Sequence, residues 1–127
     1  MNKLSKVLVL EGGKNEEHKV SLNTASEVKK ILRNNKIIYK SLVVDPNNFE
    51  KKISKFSNKL IIFNALHGTY GEDGKIQKIL KKNKFKFTHS GVFSSKICFN
   101  KIRSKEKLIK AKIPTPNFRV YKSKLLN

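Results

Sequence analysis

The chain has a single cysteine, Cys98. That excludes an intrachain disulfide and a thiolate zinc site. No apolar run approaches the roughly 20 residues that span a bilayer. The opening stretch, Met1 to Leu10, is too short and too soon followed by charge to suit a secretory signal. The cytoplasm is therefore the expected compartment, with no membrane partner. Arginine is scarce as well. Of 29 Lys and Arg residues only Arg33, Arg103 and Arg119 are arginine, which leaves 26 lysines. Phosphate and base readers favour the bidentate guanidinium fork, and these lysines gather in no one arm or helix face. Thirteen asparagines and many isoleucines accompany them, a profile that AT-rich coding bias imposes on almost any fold. A nucleic-acid role is the alternative account of the +20 charge. In either case the charge predicts nonspecific affinity for polyanions at low salt.

Acids are the rarer sign, nine in 127 residues. Five of them, Glu11, Glu16, Glu17, Glu72 and Asp73, fall in two short stretches. Carboxylates kept together in a lysine-rich chain mark places that need them. The second stretch, Ala65 to Gly74, holds three glycines, His67 and the Glu72-Asp73 pair. It follows the apolar run Leu60-Ile61-Ile62-Phe63 and precedes Ile76, Ile79 and Leu80, which have helical spacing. A strand therefore hands over to a helix at this loop, with Asp73 the expected N-cap.

Strand and helix signals alternate along the chain. Lys6 to Leu10 reads as a first strand, buried on both faces. A loop at 11–19 opened by Gly12-Gly13 follows. Next comes a helix with Ser21 as expected N-cap and Ala25, Val28 and Leu32 as its stripe. Ile37 to Val44 is a second strand, Asn47 to Phe56 a modest helix, and Lys84 to Phe87 a short fourth strand. Beyond the turn Thr88–Gly91, helices are expected over Val92–Phe99 and Ile102–Lys110. Prolines at 114 and 116 end the pattern, and Phe118 to Tyr121 looks like one more strand. The predicted fold class is α/β, an open, mostly parallel four-stranded Rossmann-like sheet flanked by helices. In a parallel sheet all strands end on one edge, so loops 11–19 and 64–73 share a crevice where Glu17 and His67 can meet. A carboxylate beside an imidazole can hold an ammonium group or steady a tautomer. Gly12-Gly13 could also offer amides to an anion.

Gly12-Gly13 four residues before Glu17, then Val20-Ser21-Leu22, then His67-Gly68-x-x-Gly71-Glu72-Asp73-Gly74-x-Ile76-Gln77, resembles the N-terminal domain of D-alanine–D-alanine ligases. Thr88-x-Ser90-Gly91-Val92-x-x-Ser95, Asn100-Lys101-x-x-Ser104-Lys105 and Ile113-Pro114-Thr115-Pro116 continue the resemblance in order. Three positions depart from the family pattern: Lys78 for a small residue, His89 for glycine and Asn100 for aspartate. The resemblance implies a pre-ATP-grasp, substrate-binding domain over 1–98. It also implies a link and the first elements of a truncated ATP-grasp region over 99–127. It implies an ATP-dependent carbon–nitrogen ligase making D-alanyl-D-alanine for peptidoglycan through an acyl phosphate, with this chain inactive alone. ATP and Mg2+ would be cofactors of the complete enzyme, most of their ligands lying outside this chain. The resemblance implies Glu17 as the catalytic and substrate-binding carboxylate that holds the ammonium of the first D-alanine. Val20 and His67 would line the same subsite, and Lys101 would reach the nucleotide phosphates. A homodimer is a further partner that the resemblance allows. The other class of function is a non-enzymatic binding module: a remnant of the ligase, or a basic polyanion-binding protein. The apolar residues Ile102, Leu108, Ile109, Ile113, Phe118, Val120 and Tyr121 are expected to lack burial within the chain.

Overall fold

A computed structural model of the chain describes residues 6–121. Four strands form one all-parallel sheet: β1 (Val7–Gly12), β2 (Tyr39–Val44), β3 (Ile61–Asn64) and β4 (Lys86–Phe87), in the order β2-β1-β3-β4. The helices are α1 (His18–Asn34), α2 (Phe49–Ile53), α3 (Lys75–Lys82), α4 (Val92–Phe99) and α5 (Lys101–Lys110). Among the described residues no helix is long and apolar enough to cross a membrane.

The two-residue period of β1 divides the core. Leu8 and Leu10 face Val44, Phe49, Ile53, Ile62, Ile76 and Leu80, the layer supplied by α2 and α3. Val9 faces the other way, onto Ala25 of α1 and Ala65. Each large side chain fully buried here contributes roughly 1.5–3 kcal/mol, so β1 is the stabilising centre of the sheet. Helix α1 thus covers one face while α2 and α3 cover the other. The chain leaves β1 in one direction toward β2, then returns across it toward β3 and β4. With a single crossover hand, that reversal puts the helices on opposite faces. The loops after β1 and β3, adjacent strands, therefore leave their strands toward opposite faces, the arrangement that opens a crevice at this edge.

Several elements differ from the sequence expectation. Helix α1 begins one turn early, with Glu17 at its N-cap. Ser21 is buried inside it, and its Oγ accepts the Gly12 N–H at 2.8 Å. Strand β2 starts at Tyr39, because Ile37 closes the helix end instead, its N–H donating to the Leu32 carbonyl at 2.9 Å. It is an edge strand and half exposed. Glu11 is no loop acid. It lies within β1, buried, and accepts a 2.7 Å hydrogen bond from Lys29 Nζ of α1. The expected strand at Phe118–Tyr121 is not formed, and among the described residues no strand pairs with it. That segment instead turns back on α5, where Lys105 Nζ donates to Thr115 Oγ1 at 3.0 Å and the Pro116 carbonyl at 2.9 Å. The same ammonium lies 5.5 Å from the Phe118 ring centroid. Six of the seven apolar residues named above for this region are exposed, Leu108 alone being half buried. The expectations for residues 1–5 and 122–127, at the two ends of the proposed domains, lie outside the described residues.

Candidate functional site

The loop after β1 turns through two left-handed glycines, Gly12 at φ +87° and Gly13 at φ +88°. The Gly12 amide is engaged by Ser21 and is not offered to an anion, contrary to expectation. His18 Nδ1 lies 2.7 Å from the Gly13 carbonyl, which can only accept, so Nδ1 carries the proton. Both bonds draw the first two turns of α1 up against the strand end, and Glu17 is left at the helix entrance.

The loop after β3 is held from within. Asn64 Nδ2 and Gln77 Nε2 each donate to the Gly71 carbonyl at 2.8 Å. Gly71 has no room for a side chain, since a Cβ there would collide with the Leu66 Cβ. Glu72 Oε2 accepts the Gly68 N–H at 2.9 Å. Asp73 accepts from the amides of Tyr70 and Lys75, both at 3.0 Å, and pairs with Lys75 Nζ at 3.1 Å. The N-cap of α3 is Gly74 in the left-handed region, so Asp73 caps the first helical amide from one residue further out than expected. Burial works to raise the Asp73 carboxyl, but those amides and the ammonium outweigh it and hold it below the usual carboxylate range. Tyr70, itself at φ +74°, sets its ring edge-on to Phe49 with centroids 6.1 Å apart. Burial pushes its phenol up to about 12, aided by Glu50, Asp73 and Asp45.

The two loops meet where the strand order predicts. The Glu17 carboxylate lies directly against Gly68, in the space a Cβ would occupy. His67, next to it, is fixed through Nε2 by Thr24 Oγ1 at 2.9 Å. Glu17, Val20 and Thr24 fall at i, i+3 and i+7 on α1 and so share one helical face. Glu17 and Thr24 both contact the opposing loop, and Val20 between them remains 48% exposed. Asn15 spans the gap between loops, its Nδ2 donating to the carbonyls of His67 at 2.9 Å and Thr69 at 3.0 Å. The structure thus brings together Glu17 and His67, with Val20 on the same helical face. Lys101 stands apart from them. It is exposed on the first turn of α5 and lines a cavity of about 580 Å3 with Leu66, Glu72, Gln77, His89 and Ser90. Neither Glu17, Val20 nor His67 borders that cavity.

Asn15, Thr24 and Asn64 belong to the candidate site and were not singled out from the sequence. A polar residue two positions before Glu17 is a turn signal only, and nothing local shows that its partners lie more than 50 residues away. Of the three departures from the family pattern, Asn100 keeps a role that aspartate could fill, capping α5 by accepting the Arg103 N–H at 3.0 Å. His89 fills the turn with a ring stacked on Phe87, centroids 4.7 Å apart. Its two nitrogens have no partner among the described residues, and burial lowers its tendency to protonate. Lys78 is simply exposed. Among the described residues no three or more His, Cys, Asp or Glu side chains gather closely enough to hold a metal ion.

The chain can be compared with known proteins on these features. No protein-family model matches it. It is 46% identical over 114 residues to the D-alanine--D-alanine ligase of Pelagibacter ubique (strain HTCC1062), covering 89% of this chain and 36% of that protein. The D-alanine--D-alanine ligase of Thermotoga sp. (strain RQ2) is 38% identical over 114 residues, covering 89% and 37% respectively. The crystal structure of D-alanine--D-alanine ligase from Bacillus anthracis superposes with a TM-score of 0.77 at 31% identity, over 90% of this chain and 37% of that one. The same enzyme complexed with ATP gives a TM-score of 0.76 at 30% identity, over 90% and 39%. The sequence homologues and structural neighbours are therefore D-alanine--D-alanine ligases, and the chain spans about a third of their length.

Proposed function

We propose that this chain is the N-terminal, substrate-binding part of an ATP-dependent D-alanine–D-alanine ligase that works in the cytoplasm and serves peptidoglycan synthesis. Residues 1–98 form its substrate-binding domain, and 99–127 lead into the ATP-grasp region. The observation that carries the reading is the placement of the Glu17 carboxylate against Gly68, beside an imidazole fixed by Thr24. An exposed carboxylate at a crevice mouth is suited to an amino acid's ammonium, through a charge-assisted bond worth roughly 1.5–3 kcal/mol. His67 bounds that subsite from the opposite loop, and Val20 gives it an apolar wall. Lys101, at the positive end of α5, is placed to meet an anion such as a nucleotide phosphate. ATP, when bound, supplies the phosphoryl group that activates one D-alanine carboxylate. One lysine is compatible with a phosphate contact. For magnesium, no group of three or more His, Cys, Asp or Glu side chains gathers among the described residues.

Titration of the chain with D-alanine, followed by amide chemical shifts, tests the reading. Shifts should cluster at residues 12–20 and 66–69, and L-alanine should produce weaker ones. Glu17→Gln should weaken D-alanine binding roughly 10- to 150-fold, the equivalent of one charge-assisted bond. Equal affinity in wild type and Glu17→Gln, or scattered shifts, would overturn the assignment.

A further inference from the structure

We propose that Asn15 is the positioning residue that presents Glu17 and His67 to a single ligand, by locking the loop after β1 to the loop after β3. This rests on reading that crevice as the subsite for the D-alanine ammonium. Asn15 makes three hydrogen bonds at once. Nδ2 donates to the His67 carbonyl at 2.9 Å and the Thr69 carbonyl at 3.0 Å, and Oδ1 accepts the Glu17 N–H at 2.9 Å. The amide orientation is determined by these partners. Reversed, it would set its oxygen against two carbonyls and its NH2 against an N–H.

The site asks for two donors on one side and an acceptor on the other, within one short side chain. Aspartate has no donor when ionised, serine has one, and glutamine is a methylene too long. Among the described residues no other hydrogen bond joins residues 12–17 to residues 66–70. What Asn15 pins is the pair of residues that flank Gly68. The carbonyls on both sides go to Asn15, the Gly68 N–H goes to Glu72, and the Gly68 Cα faces Glu17. Asn15 also holds the Glu17 amide, so the carboxylate and the surface it rests on are referenced to the same side chain. Glu17 is otherwise an exposed side chain, and no side-chain hydrogen bond of its carboxylate is found among the described residues. A ligand would have to order it on binding, and Asn15 removes part of that ordering in advance.

The test compares Asn15→Leu, which keeps the shape and removes all three bonds, with Asn15→Ser, which keeps one donor. Three quantities are measured on each: the Glu17 side chain to Gly68 α-proton NOE without ligand, the His67 ring nitrogen shifts, and the D-alanine dissociation constant. Asn15→Leu should lose the NOE, shift the His67 nitrogens and weaken D-alanine on the order of tenfold, about one net hydrogen bond. Strand amide protection should stay as in wild type, and Asn15→Ser should fall between. If Asn15→Leu fails to fold, the intermediate values expected of Asn15→Ser decide the matter. Retention of the NOE and His67 shifts, or their loss with unchanged affinity, overturns the positioning role and leaves the subsite assignment standing. If wild type itself does not bind D-alanine, the subsite assignment fails, and the NOE and His67 shifts alone decide whether Asn15 locks the loops.

Discussion

Replacing Gly68 by alanine should separate the site from the fold. Gly68 has φ +66°, a conformation that costs an L-residue roughly 1–2 kcal/mol. The new methyl would land on a Glu17 carboxylate oxygen, with the Glu17 carboxyl carbon 3.2 Å away and Asn15 Nδ2 3.4 Å away. The atom it meets first is the end of a flexible, exposed side chain, so the clash resolves by Glu17 swinging into solvent and not by backbone movement. The stability loss should therefore stay near the backbone term. Unfolding entropy of about 2.1 cal/mol/K per residue makes 1 kcal/mol equal to roughly 4 °C for a chain of this length, so Tm should fall by about 4–8 °C. Ligand binding should suffer far more. A displaced Glu17 forfeits its charge-assisted bond, and D-alanine affinity should drop roughly 10- to 150-fold. Calorimetry and a D-alanine titration on one sample provide both numbers. Unchanged D-alanine affinity at the reduced Tm would refute the argument, because Glu17 would then not need the space above Gly68.

Lys29→Met strands the buried Glu11 carboxylate and should cost about 3 kcal/mol in urea unfolding, the low end for a broken buried pair because Lys29 is partly exposed. Adding Glu11→Leu should restore most of it. Tyr70→Phe should be neutral or stabilising near pH 7, since the hydroxyl is buried without a partner among the described residues. With the folded phenol at about 12 and an unfolded value near 10, the stability linked to a neutral phenol is fully present below pH 10 and is lost as pH rises through 12. Urea melts at pH 8 and pH 11 should thus diverge less for Tyr70→Phe than for wild type. His89 is disfavoured as a cation by burial, so its contribution is present above about pH 6.5 and lost as pH falls through its lowered native value. His89→Leu should flatten the acid limb of stability between pH 7.5 and pH 5; an unchanged limb would mean that His89 is hydrated in solution.

What was legible in the sequence was whatever depends on local period. The runs at Val7–Leu10 and Ile61–Phe63 read as strands and are strands, although Ile61 is exposed, and Ile76, Ile79 and Leu80 read as one helix face. Parallel topology then put Glu17 and His67 on one edge, because strand direction alone decides where those loops end up. Errors arose where two local chemistries compete. Ser21 is a good cap by type, but its hydroxyl is worth more to the buried Gly12 amide. Phe118-Arg119-Val120-Tyr121 alternates like a strand, but a strand needs a neighbour and none lies beside it among the described residues. Asn15 and Thr24 were illegible for a third reason. Their partners, the His67 carbonyl and ring, are 52 and 43 residues away, and no short window contains both ends of such a bond.

One residue, Asn100, is both the last cap of α4 and the first cap of α5. The two helices are therefore joined by a single pair of backbone torsions, a pivot with an arm of ten residues, about 15 Å long. A turn of about 10° at the pivot carries the far end of α5, at Ile109 and Lys110, through roughly 2.6 Å, following from that length. The near end hardly travels, since Lys101 sits within one rise of the axis and its backbone shifts by a few tenths of an ångström. Whatever presses on the outer end of α5 can thus redirect its exposed apolar side chains while the Lys101 backbone keeps its place at the cavity mouth.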